Sequence, residues 1–428
     1  MQTAELYEIY KRYPSVQTDT RKLKSGDLFF ALKGDNFNGN KFAAAALEAG
    51  AAYAVIDEEA YHTGERTILV PDALKALQDL SGYHRAQFDI PFIAITGSNG
   101  KTTTKELIHA VLSSSFKTYT TEGNLNNHIG VPLTLLKIRP DAQFAIVEMG
   151  ANHLEEIASY CVYANPTHGL ITNVGKAHLE GFGGPEGVLR GKGELFAHLR
   201  SRQHGFAFVN WDYEYLHELS KGISGIIKYG TGSDVHVSGH VTKNDPLLEV
   251  GFSIGFTGKP IQTKLVGEYN LPNILAAVTI AQYFEVGEDK IRQALEEYEP
   301  SNSRSQLVKV GSNQIILDAY NANPSSMKLA IENFSNVDAT DKVLVLGAMA
   351  ELGEHSLDEH RQVLELIGKY NWKDVALVGG DFLKIDHGYH SFADSEQARQ
   401  WYLGQQFTNT FVLVKGSRST KMERVVAA

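Results

Sequence analysis

Short apolar runs alternate along this chain with amphipathic segments of helical period, and most of the runs stop at a glycine or a polar loop. Buried parallel strands give continuous apolar runs of this kind, because helices cover both faces of their sheet. The sequence contains no internal repeat, low-complexity tract or sustained heptad. The pattern therefore predicts an α/β fold with parallel sheets.

Turn and loop residues between the apolar segments predict three domains: residues 1–88, 89–300 and 301–428. A chain of 428 residues exceeds what one hydrophobic core usually organises. The first domain has the strand candidates DLFFAL, AYAVID and TILV, and an alanine-rich helix, KFAAAALEAG. The second has FIAIT, FAIVEMG and HGLITNV, and a helix over residues 271–285. After the charged segment EEYEPSNSRSQ, the third has KVLVLGAM, DVALVGGDF and FVLVKGSR.

Composition excludes several classes of protein. The formal net charge is −10, with both signs intermixed, so no basic stripe suggests nucleic acid or anionic lipid. The N-terminal residues carry charges throughout and lack the apolar core of a signal peptide. No later segment approaches the apolar length of a membrane span. A single cysteine, Cys161, cannot form an internal disulfide and fits a reducing compartment. We expect a cytoplasmic protein without membrane insertion.

The segment FIAITGSNGKTTTKEL joins a predicted strand to a predicted helix through a glycine-bounded loop. The loop residues are Gly97, Ser98, Asn99 and Gly100, and the helix opens with Lys101, Thr102 and Thr103. Glycines permit close backbone approach, and a helix N-terminus offers free N–H groups and a positive dipole end. Lysine and threonine in these places suit triphosphate and magnesium. The standard phosphate loop has glycine where this chain has Ile95, so an ordinary strand-to-helix turn stays an alternative.

Three further residues follow apolar strands or sit on a helix. Glu148 lies at the end of the strand FAIVEMG, and its carboxylate suits a magnesium ligand or a water-positioning residue at the ligand edge of the sheet. His178 lies in the glycine-rich segment NVGKAHLEGFGG, and Lys192 in LRGKGELF. Singly, each has an ordinary interpretation: a solvated carboxylate, a packing histidine and a surface lysine.

Together, the motifs resemble those of the Mur ligases, ATP-dependent amide-bond-forming enzymes of bacterial cell-wall synthesis. The similar segments run in order along nearly the whole chain: TGSNGKTTTK, EMGANH, NVGKAHLEGFGG, KGELF, GEYNLPNILAA, NSRSQ and LDAYNANPSS. The resemblance implies a uridine-nucleotide-binding first domain, a central ATPase-like domain with a phosphate loop and a Rossmann-like third domain. Folylpolyglutamate synthetase has a similar loop, but DAYNANPSS and the first domain favour the cell-wall family.

The same resemblance implies roles for residues. Lys101 would neutralise phosphate charge, and Thr102 with Glu148 would hold one Mg²⁺. His178 and a carbamylated Lys192, formed with carbon dioxide, would hold a second Mg²⁺, because a carbamate presents oxygens that suit this ion. The predicted nucleotide contacts outside the loop are Asn273 at the adenine, Arg304 at the phosphates and Asp318 near the ribose.

The implied substrates are UDP-N-acetylmuramoyl-tripeptide and D-alanyl-D-alanine, joined through an acyl phosphate by a monomeric enzyme. Thr20 would contact the diphosphate or uracil region, and Arg21 would help to frame the loop, although an N-terminal turn followed by a strand explains this segment equally well. Asn124, Asn126 and Asn127 could bind the peptides, although loop asparagines are equally ordinary turn formers. The family pattern usually has histidine where this chain has Asn40 and Tyr269, which puts those two contacts in doubt. The sequence does not decide whether the third peptide residue of the substrate is a diamino acid or lysine. A nucleotide-dependent switch without ligase chemistry also stays an alternative.

Overall fold

A computed structural model describes residues 1–301 and 303–426. Asn302, Ala427 and Ala428, which belong to the predicted third domain, lie outside the described residues. The described chain contains three large sheets, each dominated by parallel pairs and each flanked by helices. The predicted α/β class with three layered units is confirmed.

The N-terminal unit has a parallel sheet in the order β1-β2-β5-β6, with a small hairpin of β3 and β4 beside it. Alternate residues of β2 face opposite sides: Leu28 and Phe30 pack with the first and third helices, and Phe29 packs with the second. The elements are α1 Thr3–Arg12, β1 Val16–Gln17, β2 Leu28–Phe30, β3 Lys33–Gly34, β4 Phe37–Asn38, α2 Ala43–Glu48, β5 Tyr53–Ile56, β6 Thr67–Leu69 and α3 Ala73–Arg85.

The central unit has nine strands in the order β15-β14-β13-β12-β11-β10-β7-β9-β8. Pairing is parallel from β8 to β13, and the last two strands add an antiparallel extension. Its elements are β7 Phe92–Thr96, α4 Lys101–Ser113, β8 Thr118–Thr120, α5 Gly130–Leu136, β9 Phe144–Glu148, α6 Glu156–Ala164, β10 His168–Ile171, α7 Leu179–Phe182, α8 Pro185–Ser201, β11 Phe206–Asn210, α9 Glu214–Ser220, β12 Gly225–Gly230, β13 Val237–Asn244, β14 Leu247–Ile254, β15 Ile261–Val266, α10 Leu271–Tyr283 and α11 Glu288–Glu297.

The third unit has six strands in the order β16-β17-β21-β18-β19-β20, and every pair except β16 with β17 is parallel. The elements are β16 Gln306–Val310, β17 Asn313–Asp318, α12 Pro324–Ser335, β18 Lys342–Gly347, α13 Ser356–Ile367, β19 Asp374–Val378, β20 His390–Phe392, α14 Ser395–Gly404 and β21 Phe411–Lys415.

Local sequence explains where elements stop. Helix α2 ends in a Schellman motif: Gly50 has a φ of 104°, and the N–H of Ala51 donates to the carbonyl of Ala46 over 3.0 Å. The predicted strand at 374–382 ends early, at Val378, because the next two residues, Gly379 and Gly380, have positive φ angles. No helix in the described ranges is long and apolar enough to cross a bilayer.

Candidate active site

The loop between β7 and α4 requires its two glycines. Gly97 has a φ of 143°, and a Cβ there would lie 2.0 Å from the hydroxyl oxygen of Thr172. Gly100 has a φ of 78°, and a Cβ would lie 2.7 Å from Oδ1 of Asn273. Both the backbone conformation and the close approach therefore exclude a side chain at these positions. The predicted strand, glycine loop and helix are confirmed here.

Hydrogen bonds tie this loop to the segment that follows β10. The N–H of Ser98 donates to the carbonyl of Asn173 over 2.9 Å, and the Ser98 hydroxyl donates to the carbonyl of Gly175 over 3.1 Å. The Thr172 hydroxyl donates to the carbonyl of Asn99 over 2.6 Å. The loop is consequently fixed in shape, with the N-terminus of α4 at its end, which is the arrangement that binds phosphate groups.

Lys101 begins α4 and folds back over its own loop. Its Nζ donates to the carbonyl of Gly97 over 2.7 Å. Burial lowers the pKa of Lys101, while the Glu148 carboxylate opposes that shift and the Arg304 guanidinium adds to it. Thr102, the next residue, is buried in the first turn of the helix. A cation and a hydroxyl thus lie together at the helix N-terminus.

Glu148, the last residue of β9, is only 1% exposed, so it is not a solvated strand-end carboxylate. Its Oε1 accepts a hydrogen bond of 2.7 Å from Nδ2 of Asn126. Its Oε2 is buried and has no hydrogen-bond partner in the described part of the chain. An unpartnered buried carboxylate oxygen is costly unless something binds it, and a cation is the natural candidate.

His178 meets an acidic residue of the third unit. It has a left-handed backbone, with a φ of 52°, directly before α7. Its Nδ1 lies 2.5 Å from Oε2 of Glu351, and the imidazole lowers the pKa of that carboxyl. The histidine therefore lies at the boundary between the central and third units.

Lys192 lies inside α8 and is 1% exposed, so the surface-lysine interpretation is wrong. Its Nζ donates to the carbonyl of Ala151 over 3.0 Å and lies 4.9 Å from the ring centroid of Phe182. Burial lowers the pKa of Lys192 well below its usual value, and the nearby Lys101 adds to this shift. Burial of this kind favours the uncharged form of the amine.

A cleft of about 1030 Å³ lies between the central and third units. Its lining includes most of the residues predicted for the site: Ser98, Asn99, Gly100, Lys101, Thr102, Thr103, Asn124, Asn126, Asn127, Glu148, His178, Asn273, Arg304 and Asp318. The predicted residues Gly97, Lys192, Thr20 and Arg21 do not line it. Residues from distant parts of the sequence thus converge on one cavity.

The third unit contributes charged groups to this cleft. The Arg304 guanidinium carbon lies 3.6 Å from the ring centroid of Tyr320, and its Nε is buried without a hydrogen-bond partner among the described residues. Asp318 ends β17, and its Oδ2 lies 2.5 Å from Nζ of the buried Lys415. Stacking fixes the guanidinium plane and leaves its N–H groups available to an anion.

Several predicted contact residues have structural partners. Oδ1 of Asn127 accepts from the N–H of Gly130 over 2.9 Å, at the start of α5, and Asn124 is exposed. The Asn273 amide accepts from the hydroxyl of Thr104 over 2.9 Å, beneath the glycine loop. Tyr269, where histidine was expected, has its hydroxyl 3.1 Å from that of Ser305.

The N-terminal candidates lie in their own unit. Thr20 opens a short 3₁₀ turn, and the exposed Arg21 pairs with Asp19 over 2.8 Å. Asn40 is fully buried, and its Nδ2 donates to Oδ1 of Asp57 over 2.8 Å. The reverse bond, from the Asp57 N–H to Oδ1 of Asn40, measures 3.0 Å. Asn40 therefore stabilises the local fold.

Sequence reasoning did not assign some residues that join the units. Nδ2 of Asn323 donates to Oδ1 of Asn99 over 2.8 Å, and the motif YNANPSS could have indicated this contact. Lys176 pairs with Glu359 over 2.6 Å, and Glu351 pairs with His178. Each glutamate acts through a contact with a remote segment, which no local pattern in the sequence indicates.

Within the described residues there is no group of three or more His, Cys, Asp or Glu side chains placed to hold a metal ion. A magnesium ion here would therefore need other oxygen ligands, such as the Thr102 hydroxyl, phosphate oxygens or water. Mg²⁺ commonly binds in this way, through one or two carboxylates and substrate phosphates.

Comparison with known proteins assigns the family. Three family models match in succession: "Mur ligase family, catalytic domain" over residues 12–85, "Mur ligase middle domain" over 95–281 and "Mur ligase, glutamate ligase domain" over 303–418. A UDP-N-acetylmuramoyl-tripeptide–D-alanyl-D-alanine ligase of Haemophilus influenzae is 35% identical, across 96% of this chain and 92% of its own. This chain belongs to the Mur ligase family.

Solved structures support the same assignment. MurF from Acinetobacter baumannii matches this Mur ligase with a TM-score of 0.86 at 30% identity, covering 96% of this chain and 92% of its own. MurF ligase from Thermotoga maritima, solved in complex with ADP, matches with a TM-score of 0.85 at 25% identity, covering 96% of each chain. The three-unit arrangement described above is thus a known Mur ligase architecture.

Proposed function

We propose that this Mur ligase joins D-alanyl-D-alanine to the terminal carboxylate of UDP-N-acetylmuramoyl-tripeptide in peptidoglycan synthesis. The products are UDP-N-acetylmuramoyl-pentapeptide, ADP and phosphate. The observation that carries the proposal is one cleft lined by the phosphate loop, Glu148 and His178 of the central unit and by Arg304 and Asp318 of the third. The name of the Haemophilus influenzae relative supports this choice of substrates.

The reaction has two steps. A carboxylate oxygen of the tripeptide attacks the γ-phosphorus of ATP, ADP leaves, and an acyl phosphate forms. The dipeptide amine then attacks the carbonyl carbon, and the bond from that carbon to the phosphate oxygen breaks. Lys101 and Arg304 offset negative charge in both steps, so catalysis is mainly electrostatic and positional. A side-chain nucleophile is not needed, and burial raises the pKa of Cys161 to about 12.

Nucleotide binding is assigned residue by residue. Gly97, Gly100 and Thr103 would present backbone N–H groups to the phosphates, with Lys101 as the cation. Ser98 and Asn99, whose N–H groups donate to Asn173, would shape the loop around the phosphates. Arg304 would contact phosphate oxygens, and Asp318 would lie near the ribose. Asn273 is assigned to the adenine, and its contact with Thr104 beneath the loop gives it a second, structural role.

The residues present fit one magnesium ion, and the family resemblance adds a second ion with a lysine carbamate. The unpartnered Oε2 of Glu148 and the hydroxyl of Thr102 would hold one Mg²⁺. His178 and Lys192 would hold a second, with Lys192 as its carbamate. Burial of Lys192 lowers its pKa, and the uncharged amine is the form that reacts with carbon dioxide. When bound, magnesium supplies charge stabilisation for the transferred phosphoryl group.

The remaining assignments extend the proposal to the whole chain. We assign residues 1–88 to the UDP-linked substrate, with Thr20 and Arg21 at its nucleotide end, 89–300 to ATP and 301–428 to the closing domain. Asn124, Asn126 and Asn127 line the cleft and would face the peptides. One chain is proposed as the working unit, because one chain supplies the cleft. Cytoplasmic location stays a prediction from the sequence.

Phosphate release tests the proposal. The purified protein is given ATP and Mg²⁺ with the UDP-tripeptide, the D-alanyl dipeptide, both or neither. We expect sustained release only with both substrates, because the amine must complete the cycle. Full-rate release without the dipeptide would contradict the ligase and support a nucleotide switch. Parallel assays with lysine-containing and diamino-acid-containing tripeptides would identify the third residue.

A further inference from the structure

Lys176 contacts the third unit twice. Its Nζ donates to Oε1 of Glu359 over 2.6 Å, and its backbone N–H donates to the hydroxyl of Ser325 over 3.1 Å. The residue before it, Gly175, donates its N–H to the Ser98 hydroxyl of the phosphate loop over 2.9 Å. His178 follows Lys176 two residues later in the chain. Lys176 therefore lies between the phosphate loop and the proposed metal-binding histidine.

Glu359 lies in a hydrogen-bonded corner of the third unit. The next residue, His360, is fully buried; its Nδ1–H donates to the carbonyl of Ser356 over 2.7 Å, and its Nε2 accepts from the N–H of Met349 over 3.1 Å. These bonds tie α13 to the loop that carries Glu351, the partner of His178. Two glutamates from one corner thus contact two residues of one short segment.

The environment of the pair makes it asymmetric. The Glu359 side chain is 8% exposed, whereas that of Lys176 is 46% exposed. Two other contacts between these units, Asn323 with Asn99 and Asn333 with Asn244, join neutral amides, whereas Glu351 pairs with His178. In this arrangement the Glu359 carboxylate is buried, and Lys176 compensates its charge. Without the lysine, closure would leave that charge buried and unpaired, which is costly.

We propose that Lys176 and Glu359 are positioning residues whose ion pair sets the third unit against the segment from Gly175 to His178. Their role rests on the proposed ligase function, because the groups that they align are the phosphate loop and His178. Neither side chain is assigned a contact with ATP or the peptides. Their contribution is to favour the closed arrangement in which Arg304 and Asp318 reach the nucleotide.

The asymmetry predicts an unusual mutational pattern. Lys176→Met leaves the Glu359 carboxylate buried without a counter-charge. We therefore expect kcat to fall about tenfold or more, with a smaller change in the KM for the UDP-tripeptide. Glu359→Gln removes the charge that must be buried and should cost less. In the double variant, Glu359→Gln should recover much of the activity lost in Lys176→Met. Lys221→Met, which removes an exposed lysine paired with Glu218, is the matched control.

The experiment combines kinetics with small-angle X-ray scattering of each full-length variant, with and without ADP and Mg²⁺. Expected results are rescue in the double variant and a larger radius of gyration for Lys176→Met with ADP than for wild type. Unchanged kcat in Lys176→Met, or additive losses in the double variant, would overturn the proposal. Scattering does not depend on turnover. An inactive wild type with the expected scattering would thus count against the ligase function and not against the pair.

Discussion

Nδ2 of Asn126 donates a 2.7 Å hydrogen bond to Oε1 of Glu148, and the other oxygen of that carboxylate has no partner among the described residues. The amide holds the carboxylate so that one oxygen stays available in the cleft. The sequence leaves Asn126 as either a peptide contact or a turn former. Its position indicates that it also orients the proposed magnesium ligand, which is a common arrangement around metal-binding carboxylates.

This contact predicts the effect of Asn126→Ala. Without its donor, the Glu148 carboxylate should hold Mg²⁺ less well, since a supporting partner typically contributes tenfold or more to metal affinity. We expect the Mg²⁺ concentration for half-maximal turnover to rise about tenfold or more, measured by titrating Mg²⁺ at saturating substrates. An unchanged Mg²⁺ dependence would separate Asn126 from the metal site.

Lys101→Met tests the phosphate loop. The variant keeps the alkyl stem and removes the cation that offsets phosphate charge, so ATP-dependent turnover should fall about 10²-fold or more. The far-UV circular dichroism spectrum should not change, because among the described residues the Lys101 ammonium donates to loop carbonyls alone, those of Gly97 and Ser98. Lys221→Met controls for the loss of one lysine. Wild-type kinetics in Lys101→Met would contradict the assignment of phosphate binding to this loop.

Lys192→Ala tests the carbamate. The variant should be nearly inactive, added bicarbonate should not restore it, and small carboxylic acids should restore part of the activity by supplying oxygen ligands. Independently of turnover, wild type equilibrated with ¹³C-bicarbonate should show a carbamate carbon resonance that the variant lacks. Activity in the variant equal to wild type, or identical ¹³C spectra, would contradict the modification.

The loop glycine Gly97 has a matched control in Gly64. Their φ angles are 143° and 144°, but a Cβ at Gly97 would lie 2.0 Å from the Thr172 hydroxyl oxygen. At Gly64, no atom of the described residues beyond the two chain neighbours lies within 4 Å of such a Cβ. Gly97→Ala should therefore lower the free energy of unfolding by about 1–3 kcal/mol more than Gly64→Ala does. Denaturant unfolding of both variants measures this difference. Equal losses of unfolding free energy would show that backbone strain, and not the contact with Thr172, requires glycine at position 97.

His168 predicts a pH dependence of stability. Burial, with help from Arg202, lowers its pKa to about 4 in the folded chain, against an ordinary value near 6.5. Between pH 6.5 and pH 4, His168 is protonated in the unfolded chain and mostly neutral in the folded chain. The stability associated with His168 is therefore present above about pH 6.5 and declines as the pH falls towards 4, by about 3 kcal/mol.

His168→Phe provides the comparison for this pH dependence, because phenylalanine does not titrate and the site is aromatic, with Phe206 and Phe208 stacked beside it. The difference in unfolding free energy between wild type and variant should shift by about 3 kcal/mol against wild type between pH 7.5 and 4. A difference that does not change with pH would show that His168 keeps an ordinary pKa in the folded chain.

Local chemistry made part of this molecule predictable from its sequence. The strand and helix around Gly97 and Gly100 follow from an apolar run, two glycines and a lysine, and the α/β class follows from the repeated pattern. The antiparallel extension of β13, β14 and β15 was not predicted, although the alternating residues of IQTKLV carry the signal of a half-buried strand.

Contacts across the units could not be predicted from local patterns. Lys176 and Glu359 are 183 residues apart, and neither lies in an arrangement that indicates the other. Lys192 looked like a surface lysine because its burial depends on how α8 packs against the sheet. Asn40 and Asn127 turned out to have structural partners, which depend on contacts that only the folded chain provides.

The central claim is that ATP activates the tripeptide as an acyl phosphate in this cleft. The most direct measurement supplies UDP-tripeptide with ¹⁸O in its terminal carboxylate, together with ATP and D-alanyl-D-alanine, and analyses the released phosphate by mass spectrometry. The account predicts one ¹⁸O atom in each phosphate formed, because the carboxylate oxygen that attacks phosphorus leaves with it. Unlabelled phosphate would mean that water takes the phosphoryl group, and would contradict the account.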